Sequence, residues 1–373
     1  MEEYRVLLIE QNRIMLERLS SIIRTTEGFR LVAREKDSDM ALQQAGAFLP
    51  NLILLDIDLP GNVDRIHAFM RSFPQAGIIC ISAQWNAELA SAVVKAGAKG
   101  YLIKPFTSEE LLSALQTFGN SGMGLLSDVM TFFSPKGKSG KTSLIANLAM
   151  ALAKKTKESV GIIDADLQFG DLAVFFNLEP QSTIFEAARD IHFLSPITLN
   201  SYFQPVNDQV RVLCGTRRPE FAENIKPKAF WDLVHMAKSL FRYVLIDVSS
   251  GFSPISALAA EAADHVYLVS MMSSGFEIQH VRRTLDIFDV WPDYRERVKM
   301  IFTRVEPCNE AAKEDLEALI GYPVAGIFPN EYVLMSNSAN NGRMAAELDP
   351  KSPLAYRIDM LASSIALGRQ KVV

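Results

Sequence analysis

Long apolar runs are missing from this chain. No uninterrupted stretch approaches the roughly 18 residues that suggest a membrane-spanning helix. The first residues, MEEYRVLLIE, are acidic and carry neither the basic segment nor the apolar stretch of a secretion signal. A soluble protein is expected, with membrane association peripheral or through a partner. Cysteine is scarce: Cys80, Cys214 and Cys308 are far apart and form no CxxC pair. That argues against a disulfide framework or a zinc site and suits a reducing cytosol. The five histidines show no HExxH spacing, so each reads as structural. An excess of positive charge is lacking too. The formal net charge is −5, which removes the electrostatic case for wrapping nucleic acid, and no specific nucleic-acid partner is expected. Internal repeats and low-complexity tracts are absent from the sequence.

What remains is ordinary globular composition, 49% apolar and 22% charged over 373 residues, a length that favours two domains. Two α/β patterns follow one another. In the first, short β-rich runs at Val6–Ile9, Leu52–Leu55, Ile78–Ile81 and Tyr101–Ile103 alternate with amphipathic helical stretches such as Ile14–Ile23 and Glu88–Ala96. In the second, strand-like runs recur at Val129–Phe133, Val160–Ile163, Val210–Leu213, Tyr243–Ile246, Val266–Val269 and Met300–Phe302. Alternating strands and helices imply parallel sheets covered on both faces. The segment GNSGMG, residues 119–124, punctuates the chain. The expected layout is a domain over 1–118, a linker over 119–126 and a second domain over 127–373. The stretch Leu354–Leu367 reads as a helix packed on its own domain, because its polar face is not rich in lysine and arginine.

The strongest local signal is SPKGKSGKT, residues 134–142, between a strand and a helix-like run. Glycines let backbone amides turn toward anionic oxygens, and the following helix presents free N–H groups and its positive dipole end. Gly137, Lys138, Ser139, Gly140, Lys141, Thr142 and Ser143 form the candidate phosphate cradle. Lys141 would reach the β- and γ-phosphates and Thr142 would bind Mg²⁺, so ATP and Mg²⁺ are the expected ligands. The alternative is a basic surface loop before a helix. Pro135 stands where the general GxxxxGK[ST] pattern asks for glycine. Two further clusters follow in order. IIDADLQFGDLA, residues 162–173, ends a β-run with Asp164 and Asp166, and YVLIDVSSG, residues 243–251, delivers Asp247 at the tip of an apolar strand. Each taken alone fits an ordinary strand end. In this order after a P-loop, Asp247 fits a water-mediated hold on Mg²⁺, and the three clusters should converge at the C-terminal edge of one sheet.

The loop resembles the deviant P-loop of ParA/MinD-type ATPases, KGGxGK[ST], with Lys136 in the place of the extra signature lysine and Lys138 replacing the second glycine. The resemblance implies a SIMIBI-type P-loop fold. It places Asp164 by the γ-phosphate and Mg²⁺, makes Asp166 the residue that orients the attacking water, and gives Thr142, Asp164 and Asp247 as the metal set. Lys136 would cross to the phosphates of a partner subunit, so that ATP closes a homodimer and slow hydrolysis opens it. Prolines that often follow the strand aspartate are replaced by Val248, Ser249, Ser250 and Gly251. On the base side, Thr303 and Arg304 stand where the family often has asparagine, and Phe328, Pro329 and Asn330 stand in its IP-x-D loop.

Residues 1–118 resemble response-regulator receiver domains of flavodoxin-like fold. Asp56 in LLDIDLP, with Pro60 at the family's spacing, takes the place of the phosphoacceptor. Ser82 takes that of the phosphate-sensing hydroxyl, Lys104 in YLIKPF that of the pairing cation, and Tyr101 that of the switch aromatic. The family's acidic pair after the first strand is Glu10 and Gln11 here, so one carboxylate is lost from the metal site. Two readings stay open, a pseudo-receiver used for docking or dimer contacts and a working phosphorylation switch. A receiver-like domain ahead of such an ATPase resembles the TadZ/CpaE family of pilus-assembly proteins. That implies a role in placing tight-adherence (Flp) pilus machinery, often at a cell pole, with other pilus-assembly and secretion proteins as partners. A non-hydrolysing ATP-bound scaffold, a two-component output protein and a partitioning ATPase are the alternatives. An electron carrier of the nitrogenase-reductase kind would need cluster cysteines, and Cys214 and Cys308 have no matching context.

Overall fold

The structure is a computed structural model that describes residues 3–43, 48–59, 61–84, 86–108, 110–112, 127–194, 196–272 and 275–367. The expected linker over 119–126 and Pro60 lie outside the described residues. The chain divides into two compact units, one within 1–126 together with 190–200, the other within 127–189 and 201–373.

The first unit contains a five-stranded sheet: β1 (Tyr4–Ile9), β2 (Phe29–Glu35), β3 (Leu52–Asp56), β4 (Gly77–Ser82) and β5 (Gly100–Ile103). The order is β2-β1-β3-β4-β5 and every pairing is parallel. That is the flavodoxin-like order, with its ligand crevice outside the carboxyl ends of the strands. The side-chain period of two sorts the core into faces. Val6, Leu8, Leu52 and Leu54 join Leu16, Leu19 and Ile23 of the helix Arg13–Thr25. Leu7, Ile9, Ile53 and Leu55 join Ile66 and Phe69 of the helix Asn62–Ser72 on the other face. Burial on both faces is why these strands read as unbroken apolar runs. β2 was not legible as a strand. Arg30 and Arg34 interrupt it, and it pairs only with β1, at the sheet's edge.

The second unit holds eight strands: β6 (Asp128–Phe133), β7 (Val160–Ala165), β8 (Gln204–Pro205), β9 (Val210–Leu213), β10 (Tyr243–Val248), β11 (His265–Met271), β12 (Val298–Thr303) and β13 (Val324–Ile327). Their order is β13-β12-β11-β6-β10-β7-β9-β8. All pairings are parallel except that of β8, which runs antiparallel to β9. The six expected strands are all present. The two unanticipated ones, β8 and β13, are the two edges. The connection after β10 crosses over β6 to reach β11, so β6 sits where the winding reverses, and the loops after β6, β7 and β10 share one end of the sheet. The helix Lys141–Thr156 buries Leu144, Ile145, Leu148 and Leu152 in the main core. The helix Pro353–Leu367 packs against it through Leu354, Ile358, Leu361 and Ile365, as the amphipathic pattern anticipates. No described helix is long and apolar enough to cross a membrane.

Candidate functional site

β6 delivers the chain to a loop whose geometry is that of an anion nest. Lys138 and Gly140 have φ of 66° and 82°, the left-handed conformation that turns successive N–H groups the same way. Gly140 is also the N-cap of the helix Lys141–Thr156, with no side chain capping its first turn, so that end remains available to an anion. Lysine at position 138 keeps the left-handed conformation that glycine adopts more cheaply. Three bonds hold the loop. The Ser134 hydroxyl donates to the Lys136 carbonyl. The Gly251 N–H donates to the Ser134 carbonyl at 2.8 Å. Thr303 Oγ1 donates to the Ser139 carbonyl at 2.8 Å. Lys136 and Lys138 are exposed, whereas Lys141 is buried and its Nζ lies 3.4 Å from Ser250 Oγ.

The acidic residues sit on the neighbouring strands. Asp247 pairs in register with Asp164 across β10 and β7 and with Phe132 across β10 and β6. Thr142 Oγ1 donates to Asp247 Oδ2 at 2.6 Å. Burial pushes the Asp247 carboxyl up to about 6, against the opposing pull of the Lys141 charge and the Thr142 bond. Asp164 is fully buried and lies well above the usual carboxylate range, first through burial and then through the Asp247 charge. Its oxygens accept from the backbone N–H groups of Asp166, at 3.2 Å, and Leu172, at 3.3 Å. A Cβ added at Gly170 would stand 2.4 Å from both Asp164 oxygens, and one at Gly215 would stand 3.2 Å from its Cγ. Asp164 therefore grips the loop between Asp166 and Leu172, with two glycines forming the walls. Asp166 is half-buried, and its charge helps to raise both neighbouring carboxyls.

A cavity of about 90 Å³ opens beside the loop and brings together Gly140, Ser143, Thr303, Arg304, Pro329 and Asn330, all of them base-side or loop candidates. Its remaining walls are Leu144, Phe328, Glu331, Tyr332, Met335, Leu354 and Ile358. Sequence reasoning missed Tyr332, Met335, Leu354 and Ile358, which come from two C-terminal helices and carry no motif. The Thr303 hydroxyl is committed to the loop carbonyl rather than left free in the cavity.

Whether these residues fit a nucleotide with Mg²⁺ is decided by what they leave unsatisfied. Ser139 Oγ is buried in the loop without a hydrogen-bond partner, a cost that an anion's oxygen would remove. Lys141 brings a buried positive charge that makes one long bond, to the Ser250 hydroxyl. Thr142 offers a hard oxygen ligand and Asp247 beside it a carboxylate that can hold a metal-bound water, and phosphate and water complete such a Mg²⁺ shell in phosphoryl-transfer sites. Among the described residues no cluster of three or more His, Cys, Asp or Glu could hold a metal by itself. The donor set fits Mg²⁺ bound together with a polyphosphate.

The other unit gathers its own charged cluster at the carboxyl ends of β1, β3 and β5. Lys104 Nζ lies 2.6 Å from Glu10 Oε2, 2.8 Å from Asp56 Oδ1 and 3.2 Å from Asp58 Oδ2. Burial disfavours the Lys104 charge, but the bonds to Asp56 and Glu10 outweigh it and its pKa ends above the ordinary lysine value. Burial raises Glu10, opposed by its bonds to Lys104 and to the Asn12 N–H. Ser82 faces Asp58, and the Tyr101 hydroxyl donates to the Gln84 carbonyl at 2.7 Å. Asp58 was in view in the motif LLDIDLP but was not singled out; its signal was its place two residues after Asp56, past the strand end.

Comparison with known proteins divides the chain in the same way. Residues 6–116 match the response regulator receiver domain family. Residues 130–342 match the CobQ/CobB/MinD/ParA nucleotide binding domain family. The transcriptional regulatory protein MctR of Rhizobium johnstonii is 29% identical over 120 residues, 32% of this chain and 56% of that protein, so the chain spans about half the length of that relative. A ParA family ATPase from Chlorobium tepidum superposes with a TM-score of 0.59 at 23% identity, covering 64% of this chain and 99% of that one. The septum site-determining protein MinD of Pyrococcus horikoshii, solved with Mg-ADP, gives 0.55 at 19% identity, covering 66% and 99%. The two family matches and these structural likenesses together establish the fold: a receiver domain followed by a ParA/MinD-type P-loop domain.

Proposed function

We propose, from the premise that this chain belongs to the CobQ/CobB/MinD/ParA nucleotide-binding family, that its second unit is an ATP-dependent homodimer switch with slow hydrolysis, working in the placement of tight-adherence pilus machinery. The observation that carries the nucleotide reading is the meeting of Lys141, Thr142 and Asp247 beside a loop with an unsatisfied buried hydroxyl at Ser139. Mg–ATP, when bound, supplies the transferable phosphoryl group and a metal that neutralises charge on it.

The loop amides and Lys141 hold the phosphates, and Thr142 with Asp247 holds the metal. Asp164 keeps the backbone of Asp166 and Leu172 in place, which positions Asp166 to orient a water; such placement contributes more to phosphoryl transfer than strong base chemistry does. Lys136 is exposed and free to reach a second protomer's phosphates. Opposite charge across an interface favours a dimer only while the nucleotide is present. The pilus role, a polar address and partners among pilus-assembly and secretion proteins rest on the order of the two domains and on the family resemblance of the motifs.

Molar mass in solution, with and without ATP–Mg²⁺, tests the switch. Wild type should gain dimer with ATP, and Lys136→Ala should gain less while binding nucleotide normally. An unchanged mass in both proteins removes the switch. A non-hydrolysing scaffold is the second reading, favoured by Lys138 in the place of a glycine of the deviant loop. Single-turnover hydrolysis, with Asp166→Ala as control, separates the two.

A further inference from the structure

The three donors that surround Asp58 make up an oxyanion cradle. The Ser82 hydroxyl donates to Asp58 Oδ1. The Ala83 N–H donates to Asp58 Oδ2 at 2.8 Å. Lys104 Nζ lies 3.2 Å from the same oxygen. A hydroxyl, a backbone amide and an ammonium converging on one group are what a bound oxyanion takes, and charge-assisted bonds of this kind are the strong ones. The side chain of Asp58 is 36% exposed, whereas those of Asp56 and Glu10 are 4% and 1% exposed. Asp58 is thus the outer carboxylate, on the side from which a phosphoryl group would enter the cavity of about 280 Å³ that these residues line.

We propose that Asp58 is the resident anion of the Ser82–Ala83–Lys104 cradle, so that this receiver unit holds its anion-engaged arrangement without a phosphoryl group. The residue in the phosphoacceptor position is held from within as well. Asp56 Oδ1 lies 2.8 Å from Lys104 Nζ and accepts the Asp58 N–H at 3.0 Å. A phosphoryl group on Asp56 would compete with Asp58 for the same hydroxyl and ammonium. It would also turn the Asp56 carboxylate into an acyl phosphate of about two negative charges beside the carboxylates of Glu10 and Asp58, all sharing one lysine, which like-charge repulsion opposes. The cradle connects to the switch aromatic by short steps. Ser82 Oγ accepts the Gln84 N–H at 3.4 Å, the Gln84 carbonyl accepts the Tyr101 hydroxyl at 2.7 Å, and Tyr101 is buried. Asp58 therefore fixes Ser82, Gln84 and Tyr101 together.

Hydrogen exchange on the full chain tests this, with inorganic phosphate as the probe. Asp58→Ala should speed exchange at the Ala83 amide by about tenfold, the effect of losing one charge-assisted bond. Added phosphate should restore protection in the variant and leave wild type unchanged. Asp58→Asn keeps the side chain's size and removes its charge. It should lose part of the protection and regain it with phosphate, which keeps the test decisive if the alanine variant folds poorly. Unaltered exchange in both variants, lost protection that phosphate does not restore, or an equal response of wild type to phosphate would each overturn the assignment.

Discussion

Thr142 Oγ1 and Asp247 Oδ2 lie 2.6 Å apart, joining the first turn of the P-loop helix to the tip of β10. This bond ties the two ends of the candidate metal site together before any ligand arrives. It also helps to offset the burial of the Asp247 carboxyl.

That burial has a measurable cost. The Asp247 pKa is raised to about 6, above the unfolded value of about 3.9, so the folded state binds the extra proton between those limits. Its ionisation therefore destabilises the ligand-free protein as pH rises through that window. By pH 7 the penalty is of the order of 3 kcal/mol, at 1.36 kcal/mol per pKa unit. Asp247→Asn can still accept from Thr142 and carries no charge. It should raise the melting temperature of ligand-free protein at pH 7 by several degrees, with the gain gone near pH 4. The same variant should lose the Mg²⁺ dependence of ATP binding. A fall in melting temperature at pH 7 would show that Asp247 is stabilised rather than strained by its surroundings.

Gly170 is required by closeness rather than by backbone conformation. Its added Cβ would meet both oxygens of Asp164 at 2.4 Å, and Asp164 cannot give way, because it is fully buried under the loop it anchors. Gly170→Ala should cost about 1–3 kcal/mol by overpacking, read from the shift of a urea midpoint. Limited proteolysis within residues 166–171 should quicken. Gly215→Ala meets Asp164 Cγ at 3.2 Å and should cost less. Equal losses at the two positions would mean that the Asp164 contact is not what sets them.

The strands that could be read from sequence are the ones whose surroundings leave no choice. β3, β6, β7 and β10 are buried along their whole length, so water is excluded from both faces and only apolar runs survive. β2, β8 and β13 were missed for the opposite reason. Each is an edge, and an edge tolerates Arg30 and Arg34 in β2, Pro205 in β8 and Gly326 in β13. The phosphate loop was legible because its chemistry is contiguous. The cavity walls were not, since Met335, Leu354 and Ile358 meet Ser143 only through tertiary packing. Asp58 escaped notice because its role depends on where Ala83 and Lys104 come to lie, far along the chain.

On the proposed nucleotide reading, the cavity beside Gly140 and Ser143 would seat the base while the loop holds the phosphates, and a single bulky residue can test this. The candidate phosphate cradle is built from the loop and Lys141, while Met335 and Tyr332 line the cavity. Met335 is half-buried, so tryptophan there can fill the space of about 90 Å³ without rebuilding the sheet. Met335→Trp should weaken ATP at least tenfold, about 1.4 kcal/mol, because the base loses its apolar seat. Mg²⁺–tripolyphosphate, which has no base, should bind as it does to wild type. Calorimetry with both ligands, on protein whose melting temperature is unchanged, reads the difference directly. Equal weakening of the two would place the cavity in the phosphate site itself, and unchanged binding of both would leave the base to be held elsewhere.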